Sequence, residues 1–268
     1  MRGPGPCTVA AVQATERFTE LVRRADAEIP LDEAALLIAA HDHPVDVESE
    51  LAELDALAAT LPPSTDAPAI ADHLFRVLGY AGNSVDYGDP RNSYLDEVRL
   101  RRLGIPITLS VLMLEVGRRA GVTLHGVGMP GHFLVGAEPG AFFDPFHGGA
   151  ALDVEGCRAR FVATRGDEPF RAEYLAPVPK SAVLSRMLAN LVNTFMQRDP
   201  PSAVWAVRLR LRIPGLAPEE RRQAAGILGM LGRFSEAAAV LDALAAASDG
   251  DSARRAEREA ASLRARAN

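Results

Sequence analysis

The feature that most restricts how this chain can fold lies between Leu103 and Gly149. In its first half, LGIPITLSVLMLEVGRRAGV, the residues Ile105, Ile107, Leu109, Val111, Leu112, Leu114 and Val116 leave almost no polar stripe. A helix of this kind has to be buried on most sides. Pro106 suits its first turn, where the missing N–H leaves nothing unpaired, and Gly121 is its natural stop. Leu124 to Phe146 then changes to β character, with the turn signal Gly136-Ala137-Glu138-Pro139-Gly140 inside a hairpin. The other elements must therefore wrap one apolar helix and a small antiparallel sheet, an α+β arrangement.

A chain of 268 residues can form one large domain or two moderate ones. Its 35 acidic side chains outnumber the 29 basic ones, and the short arginine clusters sit among acids. No basic track for nucleic acid results. Cys7 and Cys157 are far apart and fit no zinc pattern, so a reduced, cytoplasmic chain is expected. The N-terminus lacks the apolar core of a signal peptide, and the apolar run from Ile105 to Val116 is too short for a membrane span. We expect no cofactor.

Helical spacing is predicted over 15–29 with Thr15 as N-cap, after a frayed start to about residue 13. Further helices are predicted over 31–40, 46–61 and 66–78, the last finishing at Gly79. A loop dense in turn residues runs from Tyr80 to Asn92, and Ser93 to Asp96 resembles a capping box. Beyond Pro177-Val178-Pro179 the pattern is helical to the end. This predicts an N-terminal extension over 1–30, a core domain over 31–177 and a helical domain over 178–268.

The hairpin supplies a geometric expectation. With its tip near Glu138, His132 and Asp144 face each other across the ladder, within reach of an imidazole–carboxylate hydrogen bond. A carboxylate so placed fixes the imidazole tautomer, as in nucleophile–His–Asp sites. His147, three residues past Asp144, is a second polar contributor. His125, His132, Asp144 and His147 offer no short-spaced ligand pair, so no metal is assigned. The first amides of the buried helix, near Ile107 and Thr108, stand at its positive end and suit an oxyanion or a thiolate. Yet no cysteine lies in the segment. Thr108 and Ser110 are the hydroxyls available, and Cys157 reads as a packed small hydrophobe.

Four stretches together resemble the SirB-type family of transglutaminase-like proteins: GYAGNSVDYGDPRNSYLDEV, RRLGIPITLSVLMLEVGRRAGV, GVGMPGHFLV and FFDPFHGG. The resemblance implies a papain/transglutaminase-like core, helices packed on a small antiparallel sheet, with its site between the central helix and the sheet. It also implies an all-α, tetratricopeptide-like C-terminal region. Glu219 to Ala247 looks like one such unit, fewer than a free-standing solenoid needs. In active members of the wider superfamily a cysteine starts the central helix. Here that position falls at about Pro106, while His132 and Asp144 match the other two triad positions.

The leading expectation is a cysteine-less module that binds a protein or peptide segment. Asn83, Asp86, Tyr87, Arg91, Asn92 and His147 would line its cleft, with Arg91 as the carboxylate-recognising group. The alternative is an atypical hydrolase or acyltransferase using Thr108, Ser110 or a water with His132–Asp144. Oligomeric state is left open by the sequence.

Overall fold

Pro106 does open the central helix. In the computed structural model, which describes residues 6–138 and 140–267, helix α6 runs from Pro106 to Arg119, after α1 (Pro6–Leu21), α2 (Leu31–Ala39), α3 (Val47–Ala59), α4 (Ala67–Ala71) and α5 (Leu95–Arg101). Ile105, extended at φ −96° and ψ 166°, is its N-cap. Every residue from Pro106 to Met113 is buried, as the lack of a polar stripe requires. Gly121 stops the helix at φ +74°, and the amide of Val122 donates to the Gly117 carbonyl at 2.9 Å, an αL-type ending.

Helices α2, α3, α4 and α5 pack around α6. Asp46 and Asp66 cap α3 and α4 through Ser49 and Ala69 amides. Past α4 the helix widens into a π turn over Asp72–Val77, and Gly79 ends it at φ +77°. Several sequence expectations change: the first helix spans Pro6–Leu21 and not 15–29, so residues 6–13 are helical where a frayed start was expected. Thr15 lies inside α1, not before it, because its hydroxyl donates back to the Ala11 carbonyl at 2.8 Å and so suits a helix interior. Residues 1–5 of the expected frayed start lie outside the described residues. Ser93 forms no capping box. It belongs to a 3-10 turn over Pro90–Ser93 that Asp89 caps, and α5 begins beyond Tyr94 without a side-chain cap.

Beyond α6 the chain forms an antiparallel meander of β3 (Leu124–Val127), β4 (Leu134–Ala137), β5 (Ala141–Asp144) and β6 (Ala150–Leu152). Before α6, β1 (Ala81–Gly82) pairs in parallel with β2 (Leu103–Gly104). The central helix lies against β3 and β4. Contact is closest at Gly117, where a Cβ would sit 2.5 Å from Leu124 Cδ1. On the other side, α7 (Val154–Arg165) contributes Cys157 and Phe161 to a cluster with Val127, Met129, Leu134 and Phe142.

The described chain divides into two compact units between Met187 and Leu188, within α8 (Lys180–Arg198). The second unit is all α, continuing with α9 (Ala203–Arg210), α10 (Pro218–Met230), α11 (Phe234–Ala246) and α12 (Gly250–Ala267). Within it, α10 packs on α11 and α11 on α12. Alanines 256 and 260 are buried on one face of α12, and ion pairs such as Arg222–Glu259 and Arg264–Asp242 tie its charged face back to the preceding helices.

Candidate functional site

The ladder places His132 and Asp144 differently from the sequence deduction, yet still joins them. Strands β4 and β5 pair Val135 with Phe143 and Ala137 with Ala141, so the hairpin tip lies one residue later than Glu138. Gly140, at φ +76°, closes that three-residue connection. Carrying the register one residue further puts Leu134, not His132, opposite Asp144. His132 stands two residues earlier, in a turn where its amide donates to the Met129 carbonyl at 3.0 Å and Gly131 adopts φ +77°. A two-residue offset preserves the face. The imidazole therefore reaches the carboxylate diagonally, Nε2 to Oδ1 at 2.9 Å.

Asp144 is fully buried and collects four groups. Besides His132, its Oδ1 accepts the His147 amide at 3.3 Å, and its Oδ2 accepts His147 Nδ1 at 2.8 Å. Arg160 Nε, from α7, lies 2.9 Å from Oδ2 as an ion pair whose angle falls outside hydrogen-bond geometry. Burial alone would raise the carboxyl's pKa. The hydrogen bond from His132, with the charges of His132, His147 and Arg160, outweighs it and holds Asp144 below the usual carboxylate range. An ionised carboxylate only accepts, so Nε2 carries the proton, and in the neutral form of the ring Nδ1 keeps the lone pair. Nδ1 has no partner among the described residues. It is held as an acceptor.

Phe146 walls the site, edge-on to Tyr87, His132 and His147 with ring centroids 5.8, 6.3 and 5.1 Å apart. Its ring lies on Gly82, where a Cβ would come within 2.5 Å. Tyr87 is exposed. Asn83 and Asn92 are buried and turned inward: Asn83 Nδ2 donates to Asn92 Oδ1 at 3.0 Å, and Asn92 Nδ2 donates to the Asp86 carbonyl at 2.7 Å. Asn83 Oδ1 accepts the Asp86 amide at 3.0 Å. These residues brace the loop. Arg91 is likewise committed, its Nε and Nη2 bonding Asp89, with 2.8 Å for Nη2 to Oδ2. Asp89 also holds Arg101 at 3.2 Å.

Among the described residues, no thiol or hydroxyl from the start of α6 is bonded to the imidazole. Ser110 Oγ donates back to the Pro106 carbonyl at 2.8 Å. Thr108 is fully buried and its Oγ1 has no hydrogen-bond partner. Neither hydroxyl is bonded to His132. Cys157 is fully buried as well, and burial, with Asp153 and Asp144 nearby, pushes its thiol up to about 11. His132, Asp144 and His147 do offer three ligand atoms within 4.8 Å of one another, a set with the donor chemistry of a metal site. The Arg160 cation beside Oδ2 opposes a second cation there. His125 lies elsewhere, on β3, lining a cavity of about 500 Å³ with Glu115, Arg118 and Lys180.

Three side chains of the site escaped the sequence reading: Phe146, Arg160 and Arg186. Phe146 stands in the quoted DPFHGG stretch and was legible in principle. Arg160 and Arg186 come from helices α7 and α8, further along the chain, and carry no local signal.

A family model described as the transglutaminase-like superfamily matches residues 18–189. The chain is 38% identical over 214 residues to a UPF0162 protein of Xylella fastidiosa (strain Temecula1), an overlap of 73% of this chain and 74% of that one. It is 32% identical over 198 residues to a UPF0162 protein of Pseudomonas aeruginosa, 70% and 72% of the two chains. Human F-box only protein 21 is 35% identical over 131 residues, 45% of this chain and 20% of that protein. No solved structure matches the chain. With more than half its length matched, this chain belongs to the transglutaminase-like superfamily, as a SirB-type member that keeps the imidazole and carboxylate but not the thiol.

Proposed function

We propose that the cleft beside His132 binds a protein or peptide segment, in a domain whose thiol chemistry has been lost. One observation carries this reading: His132 and Asp144 hold a hydrogen-bonded, buried geometry although Pro106 occupies the first turn of the helix that would supply the nucleophile. In a triad the carboxylate orients the imidazole toward a side-chain nucleophile, and among the described residues neither Thr108 nor Ser110 is bonded to His132. An imidazole nitrogen held as an acceptor remains useful for recognising an N–H group. Exposed Tyr87 and the edge of Phe146 supply amphipathic contact area beside it. The helical region over 178–268, with Glu219 to Ala247 as one unit, would be tetratricopeptide-like, in a cytoplasmic protein.

The hydrolase or acyltransferase reading has less support, since Ser110 is bonded to its own helix and Thr108 makes no bond to the imidazole. The test is selection of a displayed peptide library on the full chain. Enriched peptides are expected to bind at least tenfold more weakly to Tyr87→Ala and His132→Ala. Peptides whose affinity for both variants equals that for the wild type place their site elsewhere, and the proposal fails.

A further inference from the structure

We infer that Arg186 is the anion-recognising group of this cleft and takes a carboxylate of the bound segment. The inference rests on the peptide-binding reading and adds what chemistry the segment must bring.

Arginines near the site fall into two kinds. Arg91 and Arg101 are paired with Asp89, Arg160 with Asp144, and Arg118 and Arg119 with Asp32 and Glu115. Arg186 has no carboxylate partner among the described residues. Its Nη2 donates to the carbonyls of His132 and Met129 at 2.7 and 3.0 Å. Its Cζ lies 5.4 Å from the Phe133 ring centroid. A guanidinium carries five N–H donors and stays charged in proteins, and those on Nη1 and Nε have no hydrogen-bond partner among the described residues. They are also not sealed in, for neither is among the enclosed polar atoms that lack a partner.

Two carbonyl dipoles and a ring face offset a desolvated cation only in part. Burial works against the charge at Arg186, and the largest opposing influence is Tyr87. The cation is thus bonded to the backbone of His132, a residue the binding reading puts on the cleft. Arg91, the sequence's candidate for this task, has its fork filled by Asp89.

The neighbours narrow the ligand. In the neutral form of His132, Nδ1 presents a lone pair and repels a carboxylate, so Arg186 has to supply the donors. A peptide offers both complements, an amide N–H for the imidazole and a carboxylate for the guanidinium. Charge-assisted hydrogen bonds of this kind are about twice as strong as neutral ones.

The test begins without any peptide. In the ¹⁵N-labelled full chain, sodium acetate is titrated at constant ionic strength against sodium chloride, and the Arg186 Nε–H signal, assigned through Arg186→Lys, is followed. A saturable shift with acetate, absent with chloride, is expected; the response of His132 should weaken at least tenfold in Arg186→Lys. A linear drift identical for the two salts overturns the inference, and the wild-type titration decides this even if the variant disturbs the Met129–His132 turn. Selected peptides then separate the sources. Loss of binding on C-terminal amidation identifies the terminal carboxylate, and loss on Asp→Asn or Glu→Gln exchange identifies a side chain. Peptides indifferent to both changes refute the role of Arg186 while leaving peptide binding intact. Acetate saturation with no peptide selected refutes peptide binding and leaves the anion site.

Discussion

His132 and Asp144 meet along a diagonal of the sheet, Nε2 to Oδ1 at 2.9 Å, with His147 and Arg160 closing on the other carboxylate oxygen at 2.8 and 2.9 Å. Asp144 is the one acceptor for all three. Replacement by Asn keeps the shape but removes the charge and turns one end into a donor. Asp144→Asn should lose roughly 3–5 kcal/mol, the range for breaking a buried ion pair from one side, read as a shift in urea midpoint at constant slope. The pH dependence has a definite sign. The folded carboxyl lies below its unfolded value of 3.8, so its contribution is full above that value and disappears as pH falls through the folded one. The deficit of the variant should therefore shrink in acid. An unchanged midpoint at pH 7 would show that the cluster contributes nothing to stability.

A second ionic cluster, at the other end of α6, should respond to pH in the opposite sense. Glu115 is buried, accepting from Arg118 Nε at 2.7 Å and Arg119 Nη1 at 3.1 Å. Burial, with the neighbouring charge of Asp32, raises its pKa to about 7 from an ordinary 4.5. The folded state thus binds a proton that the unfolded chain has released, and stability falls as pH rises from 4.5 towards 7. Glu115→Gln mimics the protonated form. It should match the wild type near pH 4.5 and exceed it by about 3 kcal/mol at pH 8. Parallel stability curves across that range would rule out a proton taken up by Glu115 on folding.

How much of this was legible depended on whether the signal was local. Helix α6 was, because Pro106, the unbroken apolar run and Gly121 fix its start, burial and end within one segment. The His132–Asp144 pair was legible as a partnership but not in its geometry, since a hairpin tip one residue later changes every directly opposed pair while keeping each face. The loop residues show the opposite failure. Asn83, Asn92 and Arg91 look like ligand-binding groups in sequence, and only folding reveals that their polar atoms are spent on each other, on the loop backbone and on Asp89. Arg186 could not be found this way. Its significance lies in the absence of a counter-charge, a property of tertiary structure alone.

Phe146 offers a steric test of the cleft wall. Its ring lies where a side chain at position 82 would begin, with a Cβ 2.5 Å from Cδ2. Gly82→Ala should force the ring away from Tyr87 and His132, costing about 1–3 kcal/mol as overpacking does. The ring-current shift on the His132 protons should change with it. A second substitution, Phe146→Leu in the Gly82→Ala background, should recover most of the lost stability. Failure to recover would locate the strain in the β1 backbone rather than at the ring.

The sharpest prediction concerns the seat of the missing thiol. Pro106 is the first residue of α6, where the helix dipole and unpaired amides favour a thiolate, and Nδ1 of His132 has no hydrogen-bond partner among the described residues. Pro106→Cys, made with Cys7→Ser, should react with iodoacetamide within minutes at pH 7. Cys157 serves as the internal control: it is fully buried, and its pKa of about 11 leaves almost no thiolate at that pH, so it should stay unmodified in the native protein. Adding His132→Ala should slow labelling at position 106 at least tenfold, because an imidazole that faces the helix start stabilises the thiolate as its cationic partner. Equal rates with and without His132 would mean that the ring does not address the start of α6. The retained pair would then have to be explained by stability alone.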